Sequence, residues 1–213
     1  MPKTLTKLMT SAIGRGHRLF LLWEVLIKSM EGMDTVMNIW HDIDERRVTS
    51  ARFDAVVEIP YGCKIKYELD KETGFLRLDR VLYTSTHYPA NYGFIPRTLA
   101  QDGDPLDVLV LSDESLTPLS LVSCRPIGVI RMIDESERDD KIIAIANGDP
   151  NYKDYKGIGD LPQHIFDEMS HFFSVYKKLE GKHTSEQSLE DEPTACAIIQ
   201  EAIERYRKNF CVK

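Results

Sequence analysis

Cysteine is scarce in this chain of 213 residues, and its four copies are poorly spaced for chemistry. Cys63, Cys124, Cys196 and Cys211 form no CxxC pair and stand at no metal-ligand spacing from a histidine, so they read as four reduced thiols. The six histidines form no HxxxH or HxH pair, which argues against zinc. Long apolar runs are missing too: Phe20-Leu21-Leu22-Trp23 is cut short by Glu24, too soon to span a bilayer. A secretory signal wants a longer apolar stretch and a small-residue cleavage site. Positive charge is in deficit, and a formal net charge of −7 argues against general nucleic-acid binding, which needs a basic face. No internal repeat is visible. What remains is a soluble chain with ordinary apolar content, long enough to bury a real core, and expected to be cytoplasmic.

Residues 1–36 differ from the rest. Five basic residues (Lys3, Lys7, Arg15, Arg18, Lys28) outnumber three acidic ones (Glu24, Glu31, Asp34) there. The segment reads as an extension, with three readings open: a disordered tail, a targeting segment, or a translation start at Met30, Met33 or Met37. Residues 37–213 read as a single domain. Strand patterns run over Asp54–Ile59, Cys63–Leu69, Phe75–Tyr83, Val108–Leu111, Leu119–Ile133 (interrupted by Pro126 and Gly128) and Lys141–Ala146. Gln163–Leu179 and Pro193–Asn209 carry apolar residues at three- and four-residue spacing, the pattern of two amphipathic helices. The polar stretch Glu180–Glu192 between them reads as an exposed loop. The expected fold class is α+β, with a mainly antiparallel barrel packed against C-terminal helices.

Chemistry concentrates in Asp102-Gly103-Asp104-Pro105-Leu106-Asp107, three carboxylates in six residues. In an extended segment Asp102 and Asp104 share one face, Gly103 permits a bend and Pro105 fixes the chain beyond it. Three such carboxylates repel one another unless a cation sits between them, and all-oxygen donors suit Mg²⁺ or Mn²⁺ first and Ca²⁺ second. An EF-hand does not fit, because Leu106, Asp107 and Asp113 fall at positions five, six and twelve of that loop. A second acidic stretch, Asp134 to Asp140, closes with Lys141 in another loop between strands. Two acidic loops at strand ends can converge on shared cations. Lys66, Arg80, Lys141 and Tyr176-Lys177 supply charge for an anion, each singly a plain surface residue. Tyr83, Tyr88 and Tyr92 read equally as packing.

Together these residues resemble the family I soluble inorganic pyrophosphatases. Asp102 to Leu109 fits that family's signature D-[SGDN]-D-[PE]-[LIVMF]-D-[LIVMGAC]. Glu58-Ile59-Pro60, Ile65-Lys66-Tyr67-Glu68, Asp79-Arg80, Tyr88 to Gly93, Asp134, Asp139 and Tyr176-Lys177 agree with it in order. The resemblance implies a five-stranded OB-like antiparallel β-barrel and Mg²⁺-dependent hydrolysis of magnesium pyrophosphate. Several ions per site are implied, with Mn²⁺ or Co²⁺ as substitutes. Asp102, Asp107 and Asp139 would hold two activating ions, with Asp107 bridging them. Asp134, Asp139 and Glu58 would take the ions that arrive with substrate, and Glu68 would support the site. Asp104 would be the general base. Lys66, Arg80, Tyr92, Lys141, Tyr176 and Lys177 would contact phosphate oxygens, with Tyr88 in support. A homo-oligomer is implied, a hexamer in bacterial-type relatives. Glu137 stands where many members carry Gly. The competing readings are a non-catalytic divalent-cation module and an OB-type nucleic-acid binder, the latter disfavoured by charge.

Overall fold

A computed structural model describes residues 38–134, 137–182 and 184–211, so the expectation for residues 1–36 lies outside the described residues. Among the described residues are nine strands and two α-helices, beside four short 3-10 and π turns: β1 (Phe53–Ile59), β2 (Ile65–Leu69), β3 (Leu76–Val81), β4 (Asn91–Ile95), β5 (Leu106–Leu111), β6 (Leu121–Asp134), β7 (Glu137–Arg138), β8 (Lys141–Ala146), α1 (Gln163–Val175), β9 (Thr184–Asp191) and α2 (Glu192–Tyr206). Hydrogen-bonded pairing runs β1, β4, β5, β8, β6, and β6 pairs again with β1. β2 and β3 form a separate hairpin. The fold is α+β as expected. One pairing departs from the antiparallel expectation: β5 and β8 run parallel, with Asp107 opposite Lys141 at the first step.

The apolar runs of β5 and β8 have a simple cause. Leu109, Leu111, Ile143 and Ile145 join a core cluster with Phe166, Met169, Phe172 and Phe173 of α1. Val108, Val110, Ile142 and Ala144 join another with Ala195, Ile199, Ala202 and Ile203 of α2. Both sheet faces are covered, so the strands carry no polar alternation. By the two-residue period, Asp107 and Lys141 continue the rows that face α1. The charged ends of two buried strands therefore open on one side.

β6 runs unbroken through Pro126, contrary to the interruption expected there. Its outer edge pairs with β1 from Leu121 to Cys124 and with β9 from Gly128 to Asp134, so Pro126 falls in the gap between partners. On its other edge the register against β8 shifts between Pro126 and Gly128. β9 corrects a second expectation, because Thr184–Asp191 is a strand rather than a loop. A polar stretch forms it because the pairing comes from the backbone and needs no apolar side chains. Asp191 then caps α2, accepting a hydrogen bond from the Thr194 amide at 3.3 Å. α1 ends at Val175, short of Leu179.

Candidate active site

A cleft of about 370 Å³ opens where β2, the β4–β5 region, the start of β8 and the end of α1 meet. Asp107 and Lys141 form its floor. The Lys141 ammonium is buried and donates to Asp107 and, at 2.5 Å, to Asp139; the Tyr92 hydroxyl donates to Asp107 at 2.5 Å. Burial alone would depress the Lys141 pKa, but the two carboxylates outweigh it and hold the group well above its ordinary value. Burial raises Asp107 in turn, against the pull of Lys141. Asp139 is fixed from behind, its amide donating to the Met132 carbonyl at 2.9 Å.

Asp102 and Asp104 lie on a tight turn rather than an extended segment, correcting the expected geometry. Gly103 has φ +88°, a left-handed conformation that suits glycine. The Asp104 amide donates to the Asp102 carboxylate at 2.9 Å, and the Asp104 carbonyl accepts from the Ala100 amide at 2.7 Å. Loss of hydration in the cleft raises the Asp102 pKa, and Asp107, Asp104 and Asp139 add to the rise. Asp104 points at Lys71, which pairs with it.

Glu58 enters through a β-bulge. Val57 opposes Gly93 and Ile59 opposes Tyr92, which leaves Glu58 as the extra residue on β1. Its carboxylate accepts from the Leu69 amide at 2.7 Å. Burial, with Asp107 and Glu68 nearby, pushes its pKa from 4.5 to about 8. A carboxyl shifted this way holds its proton more tightly folded than unfolded. Its contribution to stability is therefore present at low pH and lost as pH rises from about 4.5 to about 8. In chelator, Glu58→Gln is expected to melt higher than the native chain at pH 8 and no higher at pH 4.5. Calorimetry across that range checks it, and parallel melting curves would exclude the shift.

Glu68, Lys66 and Tyr67 of β2 form the upper rim, with the Lys66 ammonium 2.5 Å from Glu68 and 3.6 Å from Asp79. Tyr88, Tyr92, Phe173 and Tyr176 make an aromatic wall, backed by Phe172: Tyr88 lies 5.3 Å from Tyr92 and 4.8 Å from Phe172, and Phe172 stacks on Tyr176 at 5.2 Å. Lys177 lines the cleft beside them. Arg80 stands opposite Lys66 in the hairpin but is not a wall of the cleft. It pairs with Asp79 and, at 2.9 Å, with Glu180, tying the hairpin to the turn after α1. The Asp134 side chain lies outside the described residues. Lys71, Leu69, Phe94 and Phe173 line the cleft without having been singled out from sequence; Lys71 sits in a turn pattern that shows no chemistry.

The cleft is therefore lined by six carboxylates (Glu58, Glu68, Asp102, Asp104, Asp107, Asp139) and four ammonium groups (Lys66, Lys71, Lys141, Lys177), a formal −2. Among the described residues no three acidic or imidazole groups converge to cage a cation alone. Hard oxygen donors, excess negative charge and carboxyl pKa values raised by burial and mutual repulsion nonetheless fit divalent cations. Cys124, by contrast, is a buried thiol pushed up to about 12, far from nucleophilic.

A family model described as inorganic pyrophosphatase matches residues 55–207. A soluble inorganic pyrophosphatase of Oryza sativa is 48% identical over 162 residues, covering 76% of each chain. One from Arabidopsis thaliana is 43% identical over 183 residues, 86% of each. The crystal structure of the inorganic pyrophosphatase of Thermus thermophilus superimposes with a TM-score of 0.73 at 37% identity, over 80% of this chain and 99% of that one. That of Helicobacter pylori gives 0.72 at 45% identity, over 74% and 95%. With an acidic cleft built on the same stretch that the match spans, the chain belongs to the inorganic pyrophosphatase family.

Proposed function

We propose that this cleft hydrolyses inorganic pyrophosphate to two phosphates, taking it as the magnesium complex. The observation that carries the reading is the meeting of six carboxylates with four ammonium groups in one cleft. Bare pyrophosphate would be repelled by such a lining, whereas a metal-neutralised one satisfies both signs of charge. Glu58, Glu68, Asp102, Asp107, Asp134 and Asp139 are the residues that would hold several Mg²⁺ ions, with Mn²⁺ or Co²⁺ as substitutes. Bound cations supply charge neutralisation on the phosphates and make water more acidic.

The protein's own part is positioning and proton transfer. Lys66, Tyr92, Lys141, Tyr176 and Lys177 donate to phosphoryl oxygens and fix the substrate for in-line attack. Arg80 joins them from the hairpin, held meanwhile by Asp79 and Glu180. Asp104 takes the proton of the attacking water, a role supported by the exposure of its carboxylate at the cleft mouth. Tyr88 backs Tyr92 in the wall. A folding frame consistent with this is a five-stranded OB-like barrel of β1, β4, β5, β8 and β6, a reading supported by the pairing that returns to β1. Residues 37–213 form one catalytic domain in this reading, supported by the compact unit from Asn38 onward.

The test is phosphate release from pyrophosphate at neutral pH, with millimolar Mg²⁺ and with chelator. Fast release confined to the magnesium arm is expected. A folded chain that binds Mg²⁺ and releases no phosphate would instead leave the cation-binding reading. We also infer self-association, a hexamer by family resemblance. It is supported by the exposure of Phe75 (72%), Leu78 (57%) and Tyr83 (65%) along the hairpin. Sedimentation as a monomer at micromolar concentration would refute it.

A further inference from the structure

The family model matches from residue 55, and a segment upstream of that point touches Lys71 in the cleft wall. Trp40 is 5% exposed, packed against His41, Tyr206 and Phe210, and held by three hydrogen bonds. Its indole Nε1–H donates to the Thr98 carbonyl at 2.8 Å, its carbonyl accepts from the Arg97 amide at 2.9 Å, and its amide donates to the Asn38 side chain at 3.0 Å. The Lys71 ammonium lies 5.1 Å from the centre of that indole and pairs with Asp104. Asn38 completes the seat, its side-chain amide donating to the Lys71 carbonyl at 3.0 Å.

Both ends of the Lys71–Asp104 pair rest on one frame. On the lysine side, the Asp70 carboxylate accepts from the Glu72 and Thr73 amides at 3.0 and 3.1 Å, which stiffens the turn that carries Lys71. On the aspartate side, the Thr98 hydroxyl accepts from the Leu106 amide at 2.9 Å, so the start of β5, two residues past Asp104, is pinned to the turn after β4 that holds Trp40. A lysine on a four-carbon stem, 42% exposed, would otherwise sample many rotamers. An aromatic face narrows that choice by attracting the ammonium. As an exposed ion pair the contact adds little stability. Its effect is directional, because among the described residues Lys71 is the one hydrogen-bond partner of the Asp104 carboxylate.

We propose that Lys71 is a positioning residue that orients Asp104, and that Asn38–Trp40 belongs to the active-site apparatus because it seats Lys71. This rests on Asp104 acting as the base. Lys71→Met is expected to lower kcat about 10- to 100-fold with KM and melting temperature unchanged. Lys71→Arg, which keeps a cation in reach of both partners, restores most of the rate. Trp40→Leu lowers kcat in the same sense; since Trp40 is buried, Trp40→Phe serves beside it and is expected to keep kcat, retaining an aromatic face under the ammonium. In an Asp104→Asn background, Lys71→Met costs nothing more, because the group it orients is gone. A rise in KM at constant kcat would show Lys71 holding substrate and overturn the proposal. So would an unchanged kcat in Lys71→Met when Asp104→Asn is inactive, which sinks this inference alone. Normal turnover by Asp104→Asn overturns the base assignment and this proposal together.

Discussion

Asp104→Asn is expected to slow pyrophosphate turnover by roughly two to four orders of magnitude, with a melting temperature close to that of the native chain. The side chain is 61% exposed at the cleft mouth and its carboxylate contacts only Lys71 among the described residues, so little of the fold depends on it. An amide keeps the shape and an acceptor for the lysine but takes no proton from water. Its neighbours show why the effect is confined to chemistry. The turn is held by the Asp104 backbone, through Ala100 and Asp102, and the substitution leaves both bonds intact. Steady-state phosphate release and calorimetry on the same samples decide it. A variant that keeps native turnover would move the base role to another cleft carboxylate, with Glu58 the first to examine because of its raised pKa.

The second large effect falls on folding. A Cβ at Gly93 would stand 1.8 Å from the Val56 carbonyl oxygen and 2.9 Å from the Val57 Cα, both backbone atoms of the paired strand β1. No rotamer change relieves such a contact, so β4 and β1 would have to part. Gly93→Ala should therefore cost more than the ~1–3 kcal/mol of ordinary overpacking, and lower the melting temperature by roughly 6 °C or more for a chain of this size. The damage is not confined to the strand. Gly93 lies between Tyr92 and Phe94, both walls of the cleft, and opposite the bulge that delivers Glu58. Any folded remainder should bind metal and substrate poorly. A variant that melts within a degree of the native chain would mean that the β1–β4 spacing is looser than described.

Much of the cleft was legible in the sequence because its residues lie on signatures with fixed spacing. Asp102 to Asp107, Lys66 with Glu68, and Tyr176 with Lys177 all come to the cleft from short motifs. Three strands were not legible, the shortest being Glu137–Arg138, which pairs back on β6 within what read as an acidic loop. Asn91–Ile95 is wholly buried, but it follows Pro89 and contains Gly93, residues that ordinarily mark a turn. Thr184–Asp191 carries too few apolar residues to show a period, since its pairing partner β6 asks only for backbone. Lys71 was hidden by the Asp70–Gly74 turn, and its neighbour Trp40 is distant in sequence and adjacent in space. Arg80 shows the reverse: a motif residue whose guanidinium is engaged by Glu180, a residue assigned to a loop.

The return of β6 to β1 has a consequence for how the chain is made. Through Leu111, synthesis supplies β1, β4 and β5, three strands that can pair with one another while both outer edges stay open. The edge of β1 awaits Leu121–Cys124 and that of β5 awaits Lys141–Ile145. Until residue 124 leaves the ribosome the growing chain displays both edges, and until about residue 146 it still displays that of β5, the form most prone to sticking to another chain. Pairings this distant in sequence also slow closure. A nascent chain stopped at Leu111 should need a chaperone to stay soluble, and that need should end only when α1 and α2 have followed to cover the two sheet faces.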